Sequence, residues 1–155
     1  MITYLAASGR QSVTFPPEVL NHFAAHRQLH AGDREAGGQL FARFEGSAIV
    51  VEAATGPRAT DWRSRFSFRP HRWAERREIK RMHARGLHYV GDWHTHPEAL
   101  PTPSGTDVRS MAEMFRESRH DLAGFIMVIV GTAAVPEGLF VGVTDELGVS
   151  RLTLH

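Results

Sequence analysis

The chain has 155 residues, 42% of them apolar, which suits a single domain over residues 1–155 with its own hydrophobic core. Eighteen Lys and Arg against 17 Asp and Glu leave a formal charge of +1, so no overall field selects an anionic or cationic partner. There is no cysteine, which excludes disulfides, thiolate zinc sites and cysteine nucleophiles.

In chain order, Ile2 to Ala6 and Ser12 to Phe15 read as short strands. The first residues lack the basic head and apolar run of a signal peptide. The longest strongly apolar run, Phe125 to Val130, is too short to span a bilayer, so a cytoplasmic protein with no membrane partner is expected. Pro16-Pro17 opens a helix to about His30, with Val19, Leu20, Phe23 and Ala24 on one face. Gly37-Gly38 is expected to break the chain before a strand, Gln39 to Phe44. Glu45-Gly46 then turns it into a second strand, Ser47 to Ala54, forming a hairpin. Gly56 to Arg63 reads as a polar loop, and Phe66-Ser67-Phe68 alternates like a strand ended by Pro70. A charged helix follows from about His71 to Arg85, closed by Gly86, with Trp73 expected to pack it onto the sheet.

His88 to His96 is the next strand, and alternation sends Trp93 away from His94 into the core. Pro97, Pro101 and Pro103 make the next loop extended and stiff. A third helix runs from Gly105 to about His120, with Val108, Met111, Ala112 and Phe115 on its core face. Gly124 to Val130 is a central apolar strand, and strands at Leu139 to Val143 and Gly148 to Leu154 complete the chain. Three helices against a mixed sheet make an α/β fold.

The chemistry concentrates in His94-Thr95-His96-Pro97 and Ser104-Gly105-Thr106-Asp107. Histidines two apart on a strand share a side, and Pro97 puts them where the sheet opens into a loop. Two imidazoles and a carboxylate are a ligand set for an open zinc site. Ser104 and Asp107 also have the spacing of a capping box, and the two roles are compatible. A first-turn carboxylate is rigid and favoured by the helix dipole. Amide hydrolysis at such a site also needs a carboxylate that does not bind the metal, and spacing leaves Glu35, Asp92 and Glu98 as candidates.

These residues resemble the JAMM (MPN+/JAB) zinc metalloproteases, whose pattern is an upstream glutamate, His-x-His-Pro and Ser-x-x-Asp. The matches are Glu35, His94, His96, Pro97, Ser104 and Asp107, and Glu35-Ala36-Gly37-Gly38-Gln39-Leu40 is similar to the family's Glu-x-Gly-Gly-x-Leu. The resemblance implies the JAMM/MPN fold, a cytidine-deaminase-like curved mixed sheet packed by about three helices. It implies one Zn2+ per chain bound by His94, His96 and Asp107, Glu35 as general base and then acid, and Ser104 as donor to the oxyanion. The implied reaction is hydrolysis of the amide bond between the C-terminus of a ubiquitin-like or conjugated protein and a target lysine. Gly91 to Glu98 and Pro101 to Ser104 further resemble the JAB isopeptidases of bacterial antiphage (CBASS) operons. Those enzymes free a cGAS-like nucleotidyltransferase from its conjugates, which makes a conjugated protein of that kind the expected partner. JAMM domains also often form homodimers. Alternatives within the family are a peptidase that trims a ubiquitin-like or sulfur-carrier precursor, and a non-enzymatic MPN scaffold or nucleic-acid-associated module.

Ten of the 18 Lys and Arg lie between Arg58 and Arg85, against three acids, Asp61, Glu75 and Glu78. A solvated helix face accounts for them, and docking of an acidic partner or nucleic acid is the alternative. Nucleic acid is not expected, because no stacking aromatics interleave the charges. Trp62, in a polar loop, reads as a lid or a substrate contact.

Overall fold

The computed structural model describes residues 1–118 and 122–155. The elements are β1 (Ile2–Leu5), β2 (Ser12–Phe15), α1 (Pro17–Ala25), β3 (Gly37–Glu45), β4 (Ala48–Ala54), β5 (Trp62–Arg63), β6 (Phe68–Arg69) and α2 (Arg72–Ala84). They continue with β7 (His88–Thr95), α3 (Gly105–Glu117), β8 (Phe125–Val130), β9 (Leu139–Asp145), β10 (Gly148–Arg151) and β11 (Thr153–Leu154). Nine strands form one sheet in the order β10-β9-β8-β7-β3-β4-β2-β1-β11. It is mixed, because β2 runs parallel to β4 and β7 parallel to β8. The two end strands, β10 and β11, are separated in the chain only by Leu152, whose N–H donates to Val141 O of β9 (2.9 Å). The sheet therefore curls until its ends meet. No helix among the described residues is long and apolar enough to cross a membrane.

Apolar side chains fill both faces of this sheet. Val19 and Phe23 of α1 pack with Phe15, Leu40, Trp93 and Val128 on one face. Met111 and Phe115 of α3 pack with Phe125, Met127 and Ile129 on the other, and Met82 of α2 joins Phe41 and Leu87. Each such side chain contributes about 1.5–3 kcal/mol by leaving water.

The expected α/β architecture holds, with several local corrections. The first helix stops at Ala25, short of the expected His30. The His26 ring bonds His22 O (2.8 Å) and Arg27 Nε donates to Ala24 O (3.3 Å), so side chains occupy the last helical carbonyls. Gly37 and Gly38 do not break the chain but open β3. A Cβ on Gly38 would lie 1.6 Å from Thr55 O, and one on Gly37 would lie 2.8 Å from the Phe68 ring and from Trp93 O. Glycine is needed there for close approach between backbones. The expected loop and the strand at Phe66 become a two-stranded ribbon in which Trp62 pairs with Arg69 and Arg63 with Phe68. The last strand divides at buried Leu152, which turns the chain from β9 to β1. The third helix is observed to Glu117, capped by Ser118, and its expected end at His120 lies outside the described residues.

Trp73 does not pack α2 onto the sheet; it is 69% exposed. The buried residues of α2 are Glu78 and Met82, with Glu75 and Ile79 half-buried beside them. A stripe led by glutamates is invisible to a hydrophobic pattern. Glu78 is tolerated inside because Arg58, Thr55 and Arg81 all donate to its carboxylate.

Candidate metal centre

A bulge decides which way β7 presents its side chains. In the β3–β7 ladder Leu40 pairs with Gly91 and Phe41 with Tyr89, leaving Val90 as an extra residue. Gly91 absorbs the distortion at φ 152°, and a Cβ there would lie 1.9 Å from Ile126 O. Val90 and Trp93 therefore both enter the α1 core, where Trp93 Nε1 donates to Thr55 O (2.9 Å). Asp92 and His94 turn to the opposite face, beside Met127 and Ile129 of the parallel neighbour β8. His96 lies just past the strand end, with its N–H on Val130 O (3.0 Å).

The start of α3 supplies the carboxylate. Ser104 is its N-cap and forms the expected capping box with Asp107. Ser104 Oγ accepts the Asp107 N–H (3.0 Å), and Asp107 Oδ2 accepts the Ser104 N–H (2.8 Å). Asp107 Oδ1 lies 3.2 Å from His94 Nε2 and Oδ2 lies 3.2 Å from His96 Nε2, while the two Nε2 atoms are 3.1 Å apart. Donor atoms that share a small tetrahedral ion at about 2.0–2.1 Å are separated by roughly 3.3 Å, and each of these contacts is near that spacing, with Asp107 turning a different oxygen to each ring. Two imidazoles and a carboxylate suit zinc and other first-row divalent ions. Burial pushes the Asp107 carboxyl upward, but hydrogen bonds to His94 and His96 outweigh it and hold the group well below the usual carboxylate range. Burial lowers His96, yet Asp107 and the nearby glutamates raise it overall. The pocket thus favours positive charge between its donors.

Glu35 approaches from the other side. It is 4% exposed, and its Oε1 is 3.8 Å from His96 Nε2. Burial, reinforced by Asp107 and opposed by His96, pushes its carboxyl up to about 7. One donor atom from each of Glu35, His94 and His96 also falls within a 4.8 Å group, so Glu35 and Asp107 both border the same centre, with Asp107 nearer the imidazoles. The backbone at Glu35 is held by residues that sequence reasoning missed. Its N–H donates to Ser64 O (2.6 Å), Arg63 Nε donates to its carbonyl (2.6 Å), and the next N–H, of Ala36, donates to Thr95 Oγ1 (2.9 Å). Thr95 Oγ1 in turn donates to Gln28 Oε1 (2.8 Å). The one hint in sequence was Thr95, a small hydroxyl set between the two histidines.

The family model described as prokaryotic homologs of the JAB domain matches residues 16–141, which contain all of these residues. The chain belongs to that family. A protein named CD-NTase/cGAS isopeptidase from Pseudomonas aeruginosa is 35% identical over 138 residues, 87% of this chain and 87% of that one. One of the same name from Enterobacter hormaechei is 36% identical over 115 residues, 66% of this chain and 58% of that one. The solution structure of a Desulfitobacterium hafniense protein superimposes with a TM-score of 0.65 at 22% identity, covering 91% of this chain and 90% of that one, which is a likeness of fold.

In this JAB-family chain the other two candidate bases stand apart from the three donors. The Glu98 side chain is 54% exposed, with Oε1 3.5 Å from His96 Nδ1, on the outer side of that ring. A carboxylate there orients an imidazole ligand and raises its basicity. Asp92 faces away towards α2 and accepts the Tyr89 hydroxyl (3.0 Å). Burial first, then Glu75, pushes its carboxyl up to about 8, against Tyr89 and Arg58.

A carboxyl raised by folding contributes stability that is complete below its unfolded value near 4 and is lost as pH rises through about 8. Asp92→Asn removes that dependence. In metal-free protein the variant should gain roughly 1.4 kcal/mol per pH unit relative to wild type across this window. Urea unfolding at pH 5 and pH 7 measures it, and a difference between the two proteins that does not change with pH refutes the burial argument.

Proposed function

We propose that this chain is a zinc-dependent isopeptidase, a single catalytic domain that hydrolyses the amide bond between the C-terminus of a conjugated protein and a target lysine. The observation that carries this reading is the convergence of His94, His96 and Asp107, whose facing donor atoms approach to 3.1–3.2 Å, with a buried carboxylate, Glu35, alongside. His94, His96 and Asp107 would hold the ion, which when bound supplies a Lewis acid that acidifies water and polarises a carbonyl oxygen. Glu35 accepts the proton of the attacking water and delivers it to the departing lysine amine. Its carboxyl, raised to about 7, is matched to that exchange near neutral pH. Ser104 Oγ is already acceptor to the Asp107 N–H, so its own proton is free to donate to the oxyanion. Relatives named CD-NTase/cGAS isopeptidase support a conjugated cGAS-like nucleotidyltransferase as substrate. The proposed setting is the cytoplasm of a cell with an antiphage CBASS pathway.

Cleavage of a lysine-branched conjugate and of a linear fusion with the same C-terminus tests the assignment. The branched conjugate should be cut, a chelator should stop the cutting, and added zinc should restore it. Cleavage of the linear fusion alone would make the chain a precursor-processing peptidase.

Ser104→Ala should lower kcat about 10²–10³-fold, as loss of an oxyanion donor does. The substitution also removes the helix cap, worth about 1 kcal/mol. Ser104→Asp separates the two effects, because aspartate caps well but offers no donor at neutral pH. It should recover thermal stability without turnover, and recovered turnover would leave Ser104 as a cap only.

A further inference from the structure

We propose that the face formed by the β5–β6 ribbon and the exposed side of α2 is an exosite for an acidic protein surface on the conjugate; this rests on the isopeptidase reading. Three observations lead to it. First, the acids that could neutralise this segment are turned inward. Asp61 is spent on the backbone N–H groups of Arg58 (2.7 Å) and His71 (2.8 Å). Glu78 is buried against Arg58 and Thr55, and Glu75 is half-buried. Arg69, Arg72, Arg76 and Arg77 remain exposed, so the outward field is cationic although the chain is nearly neutral.

Second, aromatic rings stand among these cations, contrary to the sequence expectation. Trp62 is 55% exposed with the Arg69 guanidinium 5.4 Å from its ring centroid, and Trp73 is 69% exposed with that of Arg76 at 5.6 Å. Tryptophan and arginine are the side chains that most often dominate protein interfaces. Large exposed rings held by stacked guanidiniums lose little freedom on binding.

Third, the face is continuous with the centre. Trp62 precedes Arg63, which donates to Glu35 O, and Asp61 ties the ribbon to the start of α2. A partner seated here is anchored beside the carboxylate that handles the proton. Single-stranded nucleic acid would also fit aromatic and cationic groups. A protein is favoured because the adjoining centre works on protein conjugates.

The test uses two lysine-branched conjugates of one carrier protein, one with an acidic face and one with those acids changed to amides, together with a short isopeptide-linked peptide. Arg72→Glu with Arg76→Glu should raise KM for the acidic conjugate about tenfold or more and leave kcat near wild type. Trp73→Ala should raise it severalfold, and both variants should process the short peptide at the wild-type rate. In the wild-type enzyme, raising salt from 0.05 to 0.5 M should weaken the preference for the acidic conjugate. Equal effects on all three substrates, or none on any, overturn the exosite. So does a variant that loses binding to a single-stranded oligonucleotide while its conjugate kinetics are unchanged. If the wild type cleaves neither conjugate nor peptide, the isopeptidase reading itself fails.

Discussion

Glu35→Gln should abolish turnover, by at least about 10³-fold, and leave one equivalent of metal bound. The amide is close in shape to the protonated carboxyl, so the buried site keeps its packing but can no longer accept a proton from water. Asp107→Ala should lose activity and metal together, because it removes the carboxylate that turns an oxygen to each imidazole at 3.2 Å. The pair of variants decides between two arrangements of the centre. Donor atoms of Glu35, His94 and His96 also gather within 4.8 Å, and if Glu35 were the third ligand its glutamine variant would lose the ion. Metal content after dialysis, with cleavage of a branched conjugate, reads both. Metal loss in Glu35→Gln with retention in Asp107→Ala would reverse the roles proposed for these carboxylates.

The largest effect on stability is expected at Gly38. A methyl there would sit 1.6 Å from Thr55 O and 3.0 Å from Trp93 Nε1. Neither neighbour is a free chain end: the Trp93 indole donates to that same carbonyl (2.9 Å), and Thr55 N–H donates to Gln39 O (3.0 Å). Gly38→Ala must displace backbone and break the buried indole bond. Overpacking and a lost buried hydrogen bond together cost about 3–5 kcal/mol. A chain of this size should then melt roughly 10 °C lower or more. Gly32→Ala is the control, since a Cβ there meets nothing within 4 Å and the backbone is not in the left-handed region. A Gly38→Ala protein that melts like the Gly32→Ala protein would show that the approach to Thr55 is easily relieved.

The metal-centre residues and Gly38 both stand out in the sequence, but for different reasons. His94, His96, Ser104 and Asp107 stood out because ligand chemistry demands particular side chains at short fixed spacings, and the capping box because it is a local backbone device. Glu35, far upstream, was chosen over Asp92 and Glu98 only by the family resemblance. The apolar strand expected at Gly124 to Val130 and the hairpin expected from Gln39 to Ala54 were legible from composition and turn residues, and the structure shows both. Gly37 and Gly38 were noticed and given the wrong cause. In a sequence a glycine pair looks like a chain break, and only the partner strand reveals that space was the requirement.

The bulge at Val90 could not be read in advance. Strict alternation would put Val90 with Asp92 and His94, and the β3–β7 ladder places it with Trp93 instead. The inward glutamates of α2 were hidden for a related reason. Burial of Glu78 depends on Arg58, twenty residues away, and on Thr55, so no local pattern announces it. Once those acids turn in, Trp73 and the arginines turn out, which changes a segment read as a solvated helix into a cationic aromatic face.

The sequence by itself determined the family and the α/β class and singled out the candidate ligands His94, His96 and Asp107, because each is written in residue identity and short spacing. Tertiary structure alone decided the distance of Asp107 from the two imidazoles, the hold of Arg63 and Thr95 on the segment carrying Glu35, and the outward charge of α2. Those depend on which distant groups become neighbours. Close approach and desolvation act between segments far apart in the chain, and neither leaves a periodic trace along it.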